Sequence, residues 1–176
     1  MMKLIEPTIE YDKQIQSYKQ ECLACESPMD GTGSFMRYET TAQWLDKVNA
    51  YKNPETVPEG KVQATQYIFV REEDGKIVGM LQIRHCLNDL LREFGGHIGY
   101  SVVPSERRKG YATQMLALGL DKCRELGLDK VLVTCKVSNE GSRKVILKNG
   151  GKYDSTVYWP EREEALERYW IDLIQK

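Results

Sequence analysis

The order of strand and helix patterns predicts a mixed α/β fold of the α+β type, in one domain over residues 1–176. Within residues 62–83, two strand-rich segments flank the pair Asp74-Gly75, which is typical of a tight antiparallel hairpin. Between residues 99 and 123 the apolar spacing changes from that of a strand to that of a helix. The nearly continuous apolar run at 131–137 is then typical of an interior strand. A hairpin and a strand-helix-strand unit in one chain indicate this mixed class.

The N-terminal part is predicted to contain one short strand and two helices. The strand covers residues 3–5, and a helix with apolar residues at helical spacing follows over about residues 11–25. Residues 27–34 are rich in turn-forming residues and are predicted to be a loop long enough to shape a site. A second helix begins near residues 40–41, where either threonine can cap it, and ends at Asn53-Pro54.

The C-terminal part is predicted to add one more helix and two strands. An irregular segment at 84–96, with a helical turn indicated near residues 87–91, leads into the strand-helix-strand unit. After that unit, a helix is predicted over about residues 141–148. Two final strands, residues 153–159 and 168–174, are joined by an exposed acidic turn that begins at Pro160.

The charge and cysteine content exclude several classes of protein. The 25 Lys and Arg residues balance 26 Asp and Glu residues, so no global field favours nucleic acid or an anionic membrane as a partner. No segment approaches the roughly 18 apolar residues of a membrane span, and we expect a cytoplasmic protein. The five cysteines are scattered and are expected to be reduced. Cys22 and Cys25 form a C-x-x-C without a second such pair or a nearby histidine, so no metal site is expected.

The turn between the strand at 99–103 and the following helix is predicted to bind an anion. Pro104 ends the strand, and three consecutive basic residues precede Gly110, which opens the helix. A helix N-terminus has unpaired backbone N–H groups and the positive end of the helix dipole. This arrangement suits a phosphate or a pyrophosphate.

The residues of this turn, Arg107-Arg108-Lys109-Gly110-Tyr111-Ala112, fit the pattern Arg/Gln-x-x-Gly-x-Gly/Ala. Asn139 and Ser142 lie at a second strand-to-helix junction. With both junctions present, the chain resembles the GCN5-related N-acetyltransferase (GNAT) family over about residues 62–174, and looks like a bacterial branch of it whose substrates are mostly unassigned. The resemblance implies a single-domain GNAT fold, whose mixed and mostly antiparallel sheet is splayed at the cofactor-binding strands and has helices on both faces. It also implies acetyl-CoA as the co-substrate.

The resemblance places the cofactor contacts in this turn and in the strand before it. Backbone N–H groups of residues 108–113 would take the pyrophosphate, with Gly110 allowing close approach. Exposed backbone groups of Val102 and Val103 would pair with the pantetheine amides as an added strand does, and a backbone N–H of this strand would stabilise the oxyanion. Asn139 and Ser142 would contact the arm from the other side. The implied cofactor-binding residues are Val102, Val103, Arg107, Arg108, Lys109, Gly110, Tyr111, Ala112, Thr113, Asn139 and Ser142.

The sequence departs from the family at the residue that supplies the acid. Many members have a tyrosine four residues beyond the position of Ser142, where this chain has Ile146. For the base, His97 at the entry of the cofactor strand is the first prediction, because an unperturbed imidazole titrates near pKa ~6.5. The alternative for His97 is to order the bend at Gly95-Gly96. Glu93, acting through a water, is the second prediction for the base.

The predicted function is transfer of an acetyl group from acetyl-CoA to a primary amine of a small molecule or peptide, by direct attack. The alternative is a non-catalytic acetyl-CoA-binding sensor or interaction module of the same fold, which Ile146 favours. A nucleotide or other phosphate binder that uses the basic turn is a third hypothesis. No nucleic-acid or membrane partner is expected. The acceptor and the oligomeric state stay open, with a homodimer through the C-terminal strands as one alternative.

Overall fold

The computed structural model describes residues 1–174 and contains seven strands and four α-helices in that range. The strands are β1 (Met2–Ile5), β2 (Ala64–Arg71), β3 (Lys76–Arg84), β4 (Ile98–Val102), β5 (Lys130–Lys136), β6 (Lys152–Trp159) and β7 (Glu164–Asp172). The helices are α1 (Asp12–Ala24), α2 (Thr41–Lys52), α3 (Tyr111–Glu125) and α4 (Glu140–Lys148). Within residues 1–174, no helix is both long and apolar enough to cross a membrane.

The strands form two antiparallel sheets. Four strands pair in the order β1-β2-β3-β4, and three pair in the order β5-β7-β6. β2 and β3 make the predicted hairpin, where Gly75 has a φ of +70° that favours glycine. β4 and β5 lie at the adjoining edges without a ladder between them, so the splayed sheet that the resemblance implied is confirmed.

Successive apolar side chains of the first sheet point to opposite faces, so they contribute to two cores. On one face, Phe69 and Leu81 pack with Met115 of α3. On the other face, Ile68 and Met80 belong to a core that includes side chains of α1 and α2. Full burial of a side chain of this size contributes about 2 kcal/mol. Helices therefore cover both faces of this sheet, as the resemblance implied.

Local signals explain where the helices begin. The Thr40 hydroxyl accepts a hydrogen bond from the Gln43 N–H at 3.2 Å, and the Gln43 side chain accepts one from the Thr40 N–H. This capping box selects Thr40 over Thr41 as the cap of α2. At α4, Oδ1 of Asn139 accepts from the Ser142 N–H at 3.0 Å. The predicted helices begin and end within a few residues of the observed bounds.

Two segments differ from their predictions. β7 begins at Glu164 rather than at Arg168, because Pro160–Arg162 form a single 3₁₀ turn and Glu163 takes a left-handed conformation. The loop between β6 and β7 is therefore shorter than the acidic residues after Pro160 indicated. In the segment at 84–96, the helical turn is π-helical and lies at Leu91–Gly95, C-terminal to the turn predicted near residues 87–91.

Candidate active site

A gap separates β4 from β5, and two hydrogen bonds close one end of it. The backbone N–H of His97 donates to the Leu132 carbonyl at 2.7 Å, and the Leu132 N–H donates to Nδ1 of His97 at 2.9 Å. β4 and β5 otherwise belong to different sheets. The gap therefore has a closed end at His97, and beyond it the edge of β4 has no strand partner among residues 1–174.

Glycine at position 96 permits this closure. Gly96 has a φ of +66°, and a Cβ there would lie 2.5 Å from the Leu132 carbonyl oxygen. Only glycine tolerates both the left-handed backbone and the close approach. On the other side, Nη1 of Arg84 donates to the carbonyls of Gly95 and Gly96, each at 3.1 Å. The bend is thus held by β3 and by β5 together.

His97 is part of this closure. Its exposed fraction is 6%, and because Nδ1 accepts from Leu132, the neutral ring carries its proton at Nε2. Burial, with smaller contributions from Arg84 and Arg92, lowers the pKa of His97 to about 4. A buried ring with an engaged acceptor and a low pKa is poorly suited to accept a proton at neutral pH. The geometry favours the bend-ordering role over the role of general base predicted first for His97.

Glu93, the second residue predicted as base, lies in the π-helical turn before the bend. Its side chain is exposed and forms no hydrogen bond or ion pair within the described part of the chain. The next residue, Phe94, attaches this turn to the second sheet. Its carbonyl accepts from Oγ1 of Thr134 at 2.9 Å, and its ring stacks on Trp159 with 4.8 Å between the centroids. Glu93 is therefore a solvated carboxylate close in sequence to the closed end of the gap.

Six consecutive backbone N–H groups, from Arg108 to Thr113, have no hydrogen-bond acceptor among residues 1–174. The next N–H, that of Gln114, donates to the Gly110 carbonyl at 3.2 Å. Arg108 and Gly110 have φ values of +63° and +83°, and alternation of left-handed and right-handed residues makes an anion-binding concavity of N–H groups. The turn therefore offers an anion these backbone donors and the positive end of the α3 dipole.

A buried carboxylate anchors this turn. Glu106 accepts from Lys109 at 2.8 Å, from Arg71 at 3.1 Å and from Lys76 at 3.1 Å. The hydrogen bonds from Lys109 and Arg71, then those from Lys76, lower the pKa of Glu106 to about 2. Arg71 also donates to the Tyr111 hydroxyl at 3.2 Å. The side chains of Lys109 and Tyr111, both predicted to bind cofactor, thus take part in the anchor, while their backbone N–H groups are unpaired within residues 1–174.

The two valines predicted to pair with a ligand differ in their orientation. The Val103 N–H donates to the Val78 carbonyl at 3.0 Å, so it is not exposed as predicted. In an antiparallel ladder only every second residue turns its backbone groups to the opposite edge, and in β4 these residues are Ile98, which is next to the closed end, Tyr100 and Val102. The Val102 carbonyl accepts from Nε of Arg107 at 3.0 Å. The open edge of β4 therefore belongs to Tyr100 and Val102.

The second junction lies across the gap from β4. Asn139 uses its side-chain oxygen to cap α4, and Oγ of Ser142 lies 2.7 Å from the Tyr100 hydroxyl. The structure therefore brings Ser142 to the open edge of β4. The side chain of Asn139 is engaged within its own helix.

The position of the missing tyrosine is part of the core. Ile146 is fully buried, and a Cβ at Gly151 would lie 2.5 Å from its Cγ2 atom. Tyr100 is the residue that sequence reasoning missed. Burial raises the pKa of Tyr100, and the hydrogen bond with Ser142 opposes this shift. The signal that could have found Tyr100 is its register, since it is two residues before Val102 and shares the same edge.

Comparisons with known proteins place the chain among acetyltransferases. Residues 34–150 match the model of the acetyltransferase (GNAT) family. No curated protein matches the sequence significantly.

Several solved structures share the fold over almost the whole chain. The ribosomal-protein-S5-alanine acetyltransferase of Vibrio fischeri is 15% identical over 97% of this chain and 92% of its own, with a TM-score of 0.71. The yncA protein of Salmonella typhimurium, solved with its cofactor acetyl-CoA, is 14% identical over 99% and 95%, with a TM-score of 0.64. A mutant of the spermidine N-acetyltransferase SpeG from Vibrio cholerae is 14% identical over 97% and 95%, with a TM-score of 0.62. At these identities the likeness concerns the fold.

Proposed function

Since this chain belongs to the acetyltransferase (GNAT) family, we propose that it transfers the acetyl group of acetyl-CoA to a primary amine of a small molecule or peptide. One observation carries the proposal. The unpaired N–H groups at 108–113 follow directly on the open edge of β4, so a site for an anion continues into a strand edge without a partner. Acetyl-CoA has its parts in this order: a pyrophosphate, an arm with two amides, and a thioester.

The chain's own backbone would hold and polarise this molecule. Tyr100 and Val102 present backbone groups to the arm as a strand does to an added strand. The side chain of Arg107 donates to the Val102 carbonyl, so it has to release or share this carbonyl when the arm binds. A backbone N–H on the same edge would stabilise the oxyanion of the attacked carbonyl. The bound molecule supplies the activated acetyl group.

The proton for the leaving sulfur is proposed to come from Tyr100. Ile146 carries no proton donor, whereas the Tyr100 hydroxyl reaches Ser142 across the gap. Because burial raises its pKa, Tyr100 keeps its proton at neutral pH and can act as a general acid.

For the base we propose Glu93, acting through a water. Its carboxylate is exposed and unpaired within residues 1–174, while the His97 ring is buried and accepts from Leu132. In the transfer, the amine nitrogen replaces sulfur on the acetyl carbon, one proton leaves the amine toward Glu93, and one reaches sulfur from Tyr100. Replacement of Glu93 by Gln is expected to lower the rate most at low pH, where less of the amine is neutral.

The test is incubation of the purified chain with acetyl-CoA and a panel of primary amines, with release of free CoA as the readout. Release that depends on an amine supports the proposal. Tight binding of acetyl-CoA without release on any amine would instead support the sensor, the alternative that Ile146 favours. Calorimetry with CoA and with ATP tests the remaining hypothesis, since a clear preference for ATP would contradict both acetyl-CoA functions.

A further inference from the structure

A group of polar side chains lies on the face of the first sheet opposite α3. Gln66 and Gln82 are cross-strand partners, and Arg84 follows Gln82 on the same face, which also carries the core of α1 and α2. Lys47 of α2 reaches the same place. A Cβ built on Gly33 would lie 3.1 Å from Oε1 of Gln66, 3.3 Å from Nε2 of Gln82 and 3.4 Å from Nζ of Lys47. We name the four side chains of Lys47, Gln66, Gln82 and Arg84 the polar cluster.

The loop at 27–34 covers the polar cluster and is fixed by it. Nζ of Lys47 donates to the Gly33 carbonyl at 3.0 Å, and Nε2 of Gln66 donates to the Gly31 carbonyl at 2.7 Å. The carbonyls of the loop therefore use some donors of the cluster. The remaining polar atoms are left for another partner.

Several atoms of the polar cluster have no partner within residues 1–174. Gln66 is 2% exposed, and its Oε1 is buried without a donor. The side-chain amide of Gln82 forms no hydrogen bond in this part of the chain, and the side-chain hydrogen bonds of Arg84 all come from Nη1. An unmatched buried polar group costs about 1–3 kcal/mol. These atoms therefore indicate a ligand with both acceptors and a donor.

The polar cluster is positively charged. The other partly buried arginines, Arg71, Arg143 and Arg168, each form an ion pair with a carboxylate. Arg84 and Lys47 form none with any described residue. Most donors left in the cluster are thus cationic, and a cation at a partly buried position is stabilised by an anion.

Neighbouring charged residues add to the positive charge of the polar cluster. Burial, followed by the charges of Arg84, Arg37 and Lys61, lowers the pKa of Lys47 to about 8. Burial lowers the pKa of Arg84, and the charge of Asp30 opposes this shift. Arg37 and Lys61 therefore add positive charge beside Lys47 and Arg84, and the carboxylate of Asp30 offsets part of it.

We propose that the polar cluster binds a carboxylate of the acceptor, so that the acetylated amine belongs to an amino-acid-like molecule. The inference rests on the proposed function and specifies its substrate class. Lys47, Arg84 and Gln82 donate to the carboxylate, and Oε1 of Gln66 accepts from an N–H or O–H of the same molecule. A polyamine would bring further positive charge beside Lys47 and is disfavoured.

The position of Gly99 connects the polar cluster with the gap. Gly99 of β4 is the cross-strand partner of Gln82, and a Cβ there would lie 3.2 Å from Cα of Gly31 and 4.0 Å from Nη2 of Arg84. Since neither Gly31 nor Gly99 has a side chain, only backbone of the loop and of β4 stands between the cluster and the proposed thioester site. An acceptor held by its carboxylate can therefore extend its amine toward the gap from the face opposite α3.

The test compares pairs of amines that differ only in the carboxylate: tyrosine with tyramine, histidine with histamine, arginine with agmatine, and lysine with cadaverine. We expect the carboxylate-bearing member of at least one pair to have a kcat/KM at least about 10-fold higher. Lys47→Gln is expected to remove this ratio, and Lys47→Arg to keep much of it. Lys148→Gln, at an exposed lysine of α4, is the control. Preference for the decarboxylated member in every active pair, or a ratio unchanged in Lys47→Gln, would overturn the inference.

A second measurement does not depend on turnover. Limited acylation with acetic anhydride, followed by peptide mass analysis, is expected to modify Lys47 faster than Lys148, because its lowered pKa leaves more neutral amine. The amino acids should protect Lys47, and their decarboxylated partners should not. Equal protection by both members, or none from either, would overturn the carboxylate site. Selective protection together with no CoA release would instead contradict the acetyl transfer and leave the carboxylate site standing.

Discussion

The Tyr100 hydroxyl lies 2.7 Å from Oγ of Ser142, and this contact joins β4 to α4 across the gap. Tyr100 is therefore fixed at both ends, by its strand and by the helix opposite. Ile146, one turn farther along α4, is fully buried and offers no polar atom. The proton donor of this site is proposed to have moved from the helix to the strand.

Tyr100→Phe tests this assignment. Loss of a general acid typically costs 10²–10⁴ in rate, and we expect kcat to fall about 100-fold with the KM for acetyl-CoA within about 3-fold. Steady-state kinetics on an active amine give both values. Tyr153→Phe is the matched control, because that exposed hydroxyl bonds only Thr156 within residues 1–174. An unchanged kcat in Tyr100→Phe would show that the acid lies elsewhere.

Gly110→Ala tests the anion-binding turn. Gly110 and Gly127 flank α3 with φ values of +83° and +77°, and a Cβ at either position meets no atom of residues 1–174 within 4 Å. Each alanine should therefore cost about 1–2 kcal/mol of folding stability through backbone strain alone. Only Gly110→Ala is expected to weaken CoA binding, by about 10-fold, because it distorts the N–H groups proposed to hold the pyrophosphate. Calorimetry that gives equal affinities for the two variants would contradict the proposed phosphate site.

His97→Ala separates a structural role from a catalytic one. The substitution leaves the buried Leu132 N–H without its acceptor, and we expect a loss of about 3 kcal/mol in the free energy of unfolding. The pH profile of kcat should keep its shape, because the pKa of His97 lies near 4. His85→Ala, which removes a contact with Thr65 at the half-buried end of β3, should cost about 1 kcal/mol. Normal stability with a lost ionisation near pH ~6.5 would restore His97 as the base.

Glu106→Gln tests the anchor of the turn through pH. The pKa of Glu106 falls from 4.5 to about 2 on folding, so its contribution to stability is present above pH 4.5 and is lost as the pH falls through about 2. We expect the variant to lose about 3 kcal/mol at pH 7 and clearly less at pH 3, measured by urea unfolding. Glu140→Gln, which breaks an exposed pair with Lys144, should leave the stability nearly unchanged. A loss that does not depend on pH would contradict the ionised anchor.

Sequence patterns predict the scaffold well, because the spacing of apolar residues records which face is buried. The strand, turn and helix around Gly110 follow from one change of period, and the two-residue signal at Asp74-Gly75 marks the hairpin between β2 and β3. Strand propensity predicts the beginning of β7 less well. Two of its first four residues, Glu164 and Glu167, are acidic, and only the turn at Pro160 places this segment in a strand.

Contacts between residues on opposite sides of the gap cannot be predicted from the sequence around either residue. Nothing near His97 in the sequence indicates that Leu132 will occupy its ring nitrogen. The difference between Val102 and Val103 depends on the phase of β4 against β3, which composition does not reveal. Such contacts arise only when distant segments meet.

The polar cluster shows the same limit. Lys47 comes from α2, Gln66 from β2, and Gln82 and Arg84 from β3, so no spacing rule joins them. The single signal was a glutamine at an inward position of each of two strongly apolar strands. A buried amide in a strand needs a partner, and that requirement could have directed attention to this face.

The way the two sheets are joined at His97 bears on how a ligand enters and leaves the gap. Each sheet keeps its own ladder, and the hydrogen bonds between His97 and Leu132 join the two at one end of the gap. Along the rest of the gap β4 and β5 share no ladder. A long, flexible ligand can therefore lie between them, and leave again, without unpairing a strand of either sheet.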